Sequence, residues 1–192
     1  MRPLRVLSAF VLTATTTLLV AGCSSSAEEK IVHKPSDNTL AHYQVIFPSA
    51  AVAATTETVQ IFVFDATNEQ KDFTDCLSLV TKRKSSADLP AAPLKLSETE
   101  STPCELLETS AASDAKQPIG GKKGTVELTF GQRTFLAVAK REKADYFLGC
   151  AKTDISTAET TVEISLTPAS ASIAVPTTMC TTLSDRCANR CQ

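Results

Sequence analysis

Seven cysteines are the residues of this chain with the clearest chemical potential. Cys23 stands alone near the N-terminus, directly after a mostly apolar stretch. The other six lie between positions 76 and 191: Cys76, Cys104, Cys150, Cys180, Cys187 and Cys191. A thiol can carry a lipid, close a disulfide or bind a metal, so the surroundings of each cysteine indicate which chemistry applies.

Residues 1–22 have the three-part pattern of a secretory signal peptide. A short basic start, Met1–Arg5, precedes the uncharged and mostly apolar run Val6–Val20. The small pair Ala21–Gly22 then leads to Cys23, as at a cleavage site. The run is too short, and its flanks are wrong, for a stable membrane span. We therefore predict a cleaved signal peptide.

The end of that segment, Val20-Ala21-Gly22-Cys23, resembles the lipobox of bacterial lipoproteins. The resemblance implies that diacylglycerol is joined to the Cys23 thiol, that the chain is cut before Cys23, and that the new amine receives a fatty acid such as palmitate. Several acyl chains, at ~0.8 kcal/mol per buried methylene, would hold the protein permanently in the membrane. In diderm bacterial lipoproteins, a residue other than Asp after the lipidated cysteine generally permits export to the outer membrane. Ser24 meets this condition. An ordinary secretory signal with a chance cysteine is the alternative.

The six remaining cysteines are an even number in an exported chain, which favours disulfides because that compartment oxidises thiols. We predict that Cys76 pairs with Cys104, because both end the same proline-rich loop. Cys150, at the end of a predicted strand, would then bind one of the three tail cysteines, and the other two would pair with each other. No free thiol is expected.

A zinc site is the alternative for the tail cysteines. Cys187 lies seven residues after Cys180 and four before Cys191, so the three could share a helix face. No Cys-x-x-Cys pair occurs, however, and His33 and His42 lie far away near the N-terminus. We predict neither a metal site nor a cofactor.

The remaining candidates for catalysis are weak. The stretch Ile119–Gly124 lacks the spacing and the Gly-Lys-Ser/Thr end of a phosphate-binding loop. Asp65, Asp72 and Asp75 lack the pattern of a calcium loop. There is no Gly-x-Ser-x-Gly motif. We predict a protein that is not an enzyme and has no catalytic residues. The alternative is a pair of carboxylates acting as acid and base.

The charge balance argues against nucleic acid as a partner. The chain has 19 Lys and Arg against 21 Asp and Glu, a formal net charge of -2. Cleavage of the signal peptide removes two arginines and no acid, which makes the mature chain more negative still. The strongest basic cluster, Lys82-Arg83-Lys84, has no interleaved aromatic residues and is typical of a helix end.

The first half of the mature chain begins with polar residues 23–42, which predict a flexible tether. Tyr43–Phe47 is a predicted strand, followed by an alanine-rich connector over Ala50–Thr56. Thr58–Phe64 is the clearest strand, and both of its faces are partly apolar, as in the centre of a sheet.

The next segment is less regular. Cys76–Arg83 has helical spacing with Asp75 as a cap, which favours a short helix over a strand. Ser85–Pro103 is rich in proline and predicts a long loop or a poor edge strand near Leu94–Leu96. Cys104–Leu107 is long enough for one helical turn.

The second half alternates apolar and polar residues. Strands are predicted over Thr125–Phe130, Thr134–Lys140, Asp145–Cys150 and Thr161–Leu166. Gly131–Gln132 is interpreted as the two-residue turn of a β-hairpin.

This succession of short strands is loosely similar to prealbumin-like and immunoglobulin-like sandwiches of secreted proteins, with Val162–Leu166 as the closing strand. The resemblance covers roughly residues 57–168 and implies an antiparallel β-sandwich. With the strand, helix and cysteine patterns above, we predict a mainly β sandwich domain over 43–168, with a short helix and a disulfide-stapled, cysteine-rich tail over 169–192. Such folds host many unrelated roles, so the resemblance does not define the function.

Two functions follow as hypotheses. The first is a non-catalytic protein of the bacterial cell envelope, held in the outer membrane by the lipid on Cys23, which displays the sandwich for protein or glycan contact or for envelope structure. The second is a surface or periplasmic enzyme, or enzyme accessory, that uses carboxylates. A concave pocket lined by convergent acids would favour the second.

Overall fold

A computed structural model describes residues 38–67, 73–106, 119–120, 124–157, 159–171, 174 and 183–190. Four short helices are present in these ranges: α1 Ala50–Thr55, α2 Cys76–Lys84, α3 Pro103–Leu106 and α4 Leu183–Cys187. Nine strands complete the described part: β1 Asn38–Phe47, β2 Thr58–Asp65, β3 Lys95–Ser101, β4 Ile119–Gly120, β5 Gly124–Thr129, β6 Gly131–Arg141, β7 Ala144–Ile155, β8 Thr161–Ser165 and β9 Thr167–Pro168. None of these helices is long and apolar enough to cross a membrane.

The strands form two sheets, which confirms the predicted β-sandwich. In the front sheet, β1 pairs with β8 on one side and with β5 and β4 on the other. The back sheet has the order β3-β2-β6-β7-β9. The main core lies between the sheets, and its largest fully buried side chains include Phe47, Ile61, Phe135 and Ile164. Burial of such side chains is the chief stabilising contribution.

One strand pair departs from the expected antiparallel arrangement. β1 and β8 run parallel, from the pair His42 and Thr161 to the pair Ile46 and Ser165. They come from opposite ends of the domain, so no tight turn joins them.

The back sheet is covered on both faces, which explains the pattern of β2. Val59, Ile61 and Val63 point into the main core, whereas Phe62 and Phe64 belong to a second, smaller core. Leu79 of α2 is fully buried in that second core. The prediction of a central strand at this position is therefore confirmed, because β2 pairs with both β3 and β6.

The sandwich begins earlier than the sequence predicted. β1 starts at Asn38, and Ala41 is fully buried, so residues 38–42 belong to the domain and not to the tether. The low hydrophobicity of 38–42 concealed this, since only alternate residues face the core. His42, which falls within the predicted tether, lies in this strand, and its Nδ1 is buried without a hydrogen bond to the described residues. His33 lies outside the described residues.

The predicted hairpin at Gly131–Gln132 is wrong. β5 pairs with β1 in the front sheet, whereas β6 pairs with β2 and β7 in the back sheet. The chain therefore crosses from one sheet to the other at this point. Gly131 has φ +123°, a conformation that side chains with a Cβ rarely adopt, and this allows the sharp change of direction.

The two sheets approach each other closely at Gly149 in β7. A Cβ built there would lie 2.6 Å from the backbone oxygen of Ser165, at the end of β8. After Ser165 the chain leaves the front sheet, and β9 pairs with Phe147 and Leu148 of the back sheet. Glycine is therefore required at 149 for this crossing.

The predictions for α2, α3 and the edge strand β3 are confirmed, and the prediction for residues 50–56 is wrong. α2 begins after the cap Asp75 and ends in Lys82, Arg83 and Lys84, as expected. The single turn near Cys104 and the weak edge strand before it are also present, as α3 and β3. The predicted alanine-rich connector is instead helix α1, which is capped by Ser49 and almost entirely buried.

The C-terminal tail is stapled to the domain in its described part. Leu183 of α4 is buried in the main core, and Cys187 is bonded to Cys104. The guanidinium of Arg186 donates to the backbone oxygen of Ala54 at the end of α1. Burial lowers the pKa of Arg186, because desolvation disfavours the charged form.

The Asp75 cap leads to a prediction for α2. The carboxylate accepts hydrogen bonds from the Ser78 amide at 3.0 Å and the Ser78 hydroxyl at 2.7 Å. Asp75→Ala is expected to lower the free energy of unfolding by about 1 kcal/mol at pH 7. Urea unfolding measures this loss, and Asp75→Asn is the control that keeps an uncharged acceptor.

The same contacts predict a pH dependence. The hydrogen bond from the Ser78 amide, followed by that from its hydroxyl, lowers the pKa of Asp75 below 3.8. The charged cap therefore stabilises the fold at pH values above the unfolded pKa, and the contribution is lost as the pH falls through the folded pKa. The stability difference between the wild type and Asp75→Asn should shrink in acid. A difference that stayed constant down to about pH 2 would contradict this assignment.

Candidate functional site

The candidate site is a concave surface on the outside of the back sheet, here called the helix–sheet groove. It has a volume of about 970 Å³ and lies between the end of α2, the loop over residues 86–91, and strands β2, β3, β6 and β7. Ala169 and Ser170, directly after β9, complete its wall. Its accessible apolar surface, here called the floor, comes from Ala87, Leu89 and Ala91. Phe62 and Leu148 lie beneath it and are only 5% and 1% exposed.

A disulfide and an ion pair hold α2 against the sheet and so define the groove. Cys76 at the start of the helix is bonded to Cys150 in β7, with their Cα atoms 5.5 Å apart. At the other end, the Arg83 guanidinium donates twice to the Asp145 carboxylate, from Nε to Oδ2 at 2.6 Å and from Nη2 to Oδ1 at 2.8 Å. A two-point contact of this kind restricts both side chains.

The charges of the groove are uneven. Five cations line it, Arg83, Lys84, Lys95, Lys140 and Lys143, against three carboxylates, Asp88, Glu98 and Asp145. Arg83 is paired with Asp145, and the Lys95 ammonium lies 2.7 Å from a Glu98 oxygen. Within the part of the chain that the structure describes, Lys84, Lys140 and Lys143 form no ion pair. The groove therefore has a surplus of positive charge.

The arrangement does not favour acid–base catalysis. Two of the three groove carboxylates are neutralised by a cation within 2.7 Å. Of these three, Asp88 alone forms no ion pair with the part of the chain that the structure describes. Two free carboxylates facing one another would be needed for hydrolysis of the glycosidase type. The described residues also contain no cluster of three or more His, Cys, Asp or Glu that could hold a metal ion.

The predicted cysteine pairing is wrong. Cys76 is bonded to Cys150 and Cys104 to Cys187, so Cys76 and Cys104 do not pair and Cys150 does not bind the tail. Proximity along the sequence was misleading, because α2 lies across the sheet and brings Cys76 to β7 while α3 lies beside α4. Cys23, Cys180 and Cys191 lie outside the described residues, and so do Asp72 and the lipobox.

Sequence reasoning missed most of the groove. The run Lys82-Arg83-Lys84 was its only local signal, and it was interpreted as a solvated helix end. Lys82 is instead half-buried, and its ammonium lies 5.6 Å from the centre of the Phe73 ring. Arg83 and Lys84, in contrast, line the groove together with lysines from β6 and the following turn.

Comparison with known proteins gives distant structural similarities only. No protein-family model matches the chain, and no curated protein matches it. A fimbrial assembly protein from Parabacteroides distasonis is similar with a TM-score of 0.40 and 13% identity, over 68% of this chain and 52% of that one. The tip fimbrial protein Mfa3 from Porphyromonas gingivalis, with a C-terminal truncation, gives 0.28 and 12%, over 65% and 48%.

The chain thus spans about half the length of these solved structures. TM-scores and identities this low assign neither a family nor a function to it.

Proposed function

We propose that this protein is a non-catalytic binding protein of the bacterial cell envelope, anchored by lipid on Cys23, which uses the helix–sheet groove to contact a glycan or a protein. The observation that carries the proposal is the groove itself. It combines an apolar floor with a surplus of lysines, and most of its carboxylates are already neutralised. Such a surface can bind a charged ligand but lacks the free acid pair of a hydrolase.

The disulfides support an envelope location. Two of them crosslink the described part of the domain, and disulfides persist in oxidising compartments outside the cytoplasm. This agrees with the signal-peptide pattern of residues 1–22. The start of β1 at Asn38 leaves residues 24–37 to connect the domain with the lipidated cysteine. In this proposal that segment is the tether.

The anchor gives a first test. Cys23→Ala should leave the precursor uncleaved or mislocalised, because the proposed lipid acceptor is the Cys23 thiol. In the bacterial host, the wild type is expected in the outer-membrane fraction and in the detergent phase of a detergent partition. The variant should be absent from the outer-membrane fraction, and an uncleaved precursor, which keeps the apolar run Val6–Val20, should run as a longer band. Immunoblots of the separated fractions measure the difference.

Ser24 provides a matched pair of controls. Ser24→Asp should retain the lipidated protein in the inner membrane, whereas Ser24→Ala should behave as the wild type. Equal fractionation of the wild type and Cys23→Ala would refute the lipid anchor and, with it, the proposed location.

A further inference from the structure

The geometry points to an acidic polysaccharide as the ligand of the helix–sheet groove. We propose that its carboxylate or sulfate groups are bound by Lys84, Lys140 and Lys143, and that its sugar rings lie over the apolar floor. This inference rests on the proposed function, to which it adds the chemical class of the ligand.

The first argument is charge. The whole chain is acidic, with 21 Asp and Glu against 19 Lys and Arg. The groove reverses this balance, since it has five cations and three carboxylates. A concave surface with an excess of one sign of charge focuses the electrostatic potential and attracts ligands of the opposite sign. An anionic ligand is therefore favoured here over most of the remaining surface.

The second argument is the convergence of the three lysines from separate elements. Lys84 is the last residue of α2, Lys140 lies near the end of β6, and Lys143 lies in the turn that joins β6 to β7. Cys76–Cys150 and the Arg83–Asp145 pair hold α2 over the sheet, so the lysines face the same space without a large rearrangement. The elements that carry the three cations therefore need not move when a ligand binds, and only the lysine side chains lose freedom.

The third argument is backbone strain at one of the three lysines. Glu142 and Lys143 form a two-residue turn between the paired residues Arg141 and Ala144, with φ values of 51° and 65°. Turns of this form prefer Asn-Gly, because a Cβ clashes with the backbone when φ is positive. Here the second position carries a lysine that lines the groove. The turn therefore keeps a lysine beside the groove at a position where glycine would be favoured.

The fourth argument concerns the shape and the polar groups of the groove. Its volume of about 970 Å³ is far larger than an inorganic ion needs. The exposed Ser86 and Ser170 offer hydroxyl groups beside the lysines, and Ala87, Leu89 and Ala91 offer apolar surface. A sugar chain with acidic substituents presents the matching hydroxyls, apolar C–H faces and negative charges. A bare phosphate or a metal ion would use only part of this surface.

The experiment uses the full-length protein, purified in detergent, and three soluble polymers. Polygalacturonate carries carboxylates, dextran sulfate carries sulfates, and unmodified dextran is neutral. We expect the protein to bind at least one of the acidic polymers, with an affinity that falls as salt is added, and to bind dextran much more weakly. The acidic polymer that binds with the higher affinity shows whether the groove prefers carboxylate or sulfate groups. Lys84→Ala and Lys140→Ala should each weaken binding about threefold to fivefold at low salt.

The turn supplies a matched pair of variants that separates binding from stability. Lys143→Gly should raise Tm by about 3 °C, because glycine relieves the strain, and yet weaken binding about fivefold. Glu142→Gly relieves the same type of strain but removes no groove residue, and the amide at 142 can still donate to the Glu57 carboxylate. It should raise Tm similarly and leave binding at least as strong.

The outcomes are distinct. Equal binding of dextran and both acidic polymers, binding of none of them, or wild-type affinity in all three lysine variants would overturn the acidic-polysaccharide ligand. Capture of an acidic protein by the groove with no polymer binding would also overturn it. Each of these results leaves the Cys23-dependent envelope location to be decided by fractionation. A failure of the Cys23→Ala test would, conversely, refute the proposed function while the polymer binding is still measured.

Discussion

A variant with both Cys76→Ala and Cys150→Ala is expected to lose about 4 kcal/mol of unfolding free energy. The Cys76–Cys150 disulfide joins residues 74 positions apart, so it removes many conformations from the unfolded chain. It also holds α2 on the second core, where Leu79 is fully buried against the back sheet. Guanidinium unfolding of the oxidised wild type and the double variant measures the difference.

The other disulfide is the control. Cys104–Cys187 spans 83 positions, so chain entropy alone predicts a loss of similar size. This disulfide holds α4, in which Leu183 is the buried residue. Without the bond, α4 can detach while the sandwich stays folded, and the native state then regains part of the same entropy. We expect a clearly smaller loss for Cys104→Ala with Cys187→Ala. Equal losses would contradict local detachment, and a loss below about 1 kcal/mol for Cys76–Cys150 would contradict its role as the main staple.

Replacement of Arg133 by methionine is the second large expected effect, about 3 kcal/mol of unfolding free energy. Only 4% of the Arg133 side chain is exposed. Its Nη1 donates to Asp65 at 2.9 Å and to the Gln132 carbonyl at 2.7 Å. Its Nη2 donates to the Thr129 carbonyl and hydroxyl and to the Phe130 carbonyl, at 3.0, 2.7 and 2.8 Å. Methionine fills a similar volume but removes all five hydrogen bonds. Asp65 keeps its hydrogen bonds from Thr67, and the Gln132 carbonyl keeps that from the Ala66 amide.

Two further variants show which contacts matter. Asp65→Asn should cost less than Arg133→Met, because the guanidinium keeps its backbone acceptors and Asp65 is partly exposed. Arg133→Lys should be intermediate, because an ammonium has no planar fork and reaches fewer acceptors. Thermal and urea unfolding give the order. If Arg133→Met lowers the unfolding free energy no more than Asp65→Asn does, the ion pair accounts for the stabilisation. The set of carbonyl contacts at the sheet crossing then does not.

Local features were predicted well wherever a short stretch of sequence contains its own physical cause. β2 alternates and is apolar on both faces, which requires cover on both sides of its sheet. α2 has a capping carboxylate at Asp75 and basic residues at its negative end. β8 exposes Glu163 between the buried Val162 and Ile164, as the alternation of a half-buried strand requires.

The errors arose where two distant segments had to meet. Gly131–Gln132 has the composition of a hairpin turn, yet β5 and β6 belong to different sheets, because a glycine with positive φ serves a sharp bend between sheets as well as a turn within one. The start of β1 was placed too late because its pairing with β5 and β8 orders residues that are polar by composition. Sequence separation also gave the wrong disulfides, since the path of α2 across the sheet determines which thiols are adjacent.

By itself the sequence determined the alternation of the strands, the caps and charges of α2 and the signal-peptide pattern, because each depends on neighbouring residues. The tertiary structure alone decided the partners of the cysteines, the parallel pairing of β1 with β8 and the helix–sheet groove. Lys84 and Lys143 are 59 positions apart, and no local pattern connects them. They line one surface because a disulfide and the Arg83–Asp145 pair hold α2 over the back sheet, and long-range contacts of this kind leave no periodic signal in the chain.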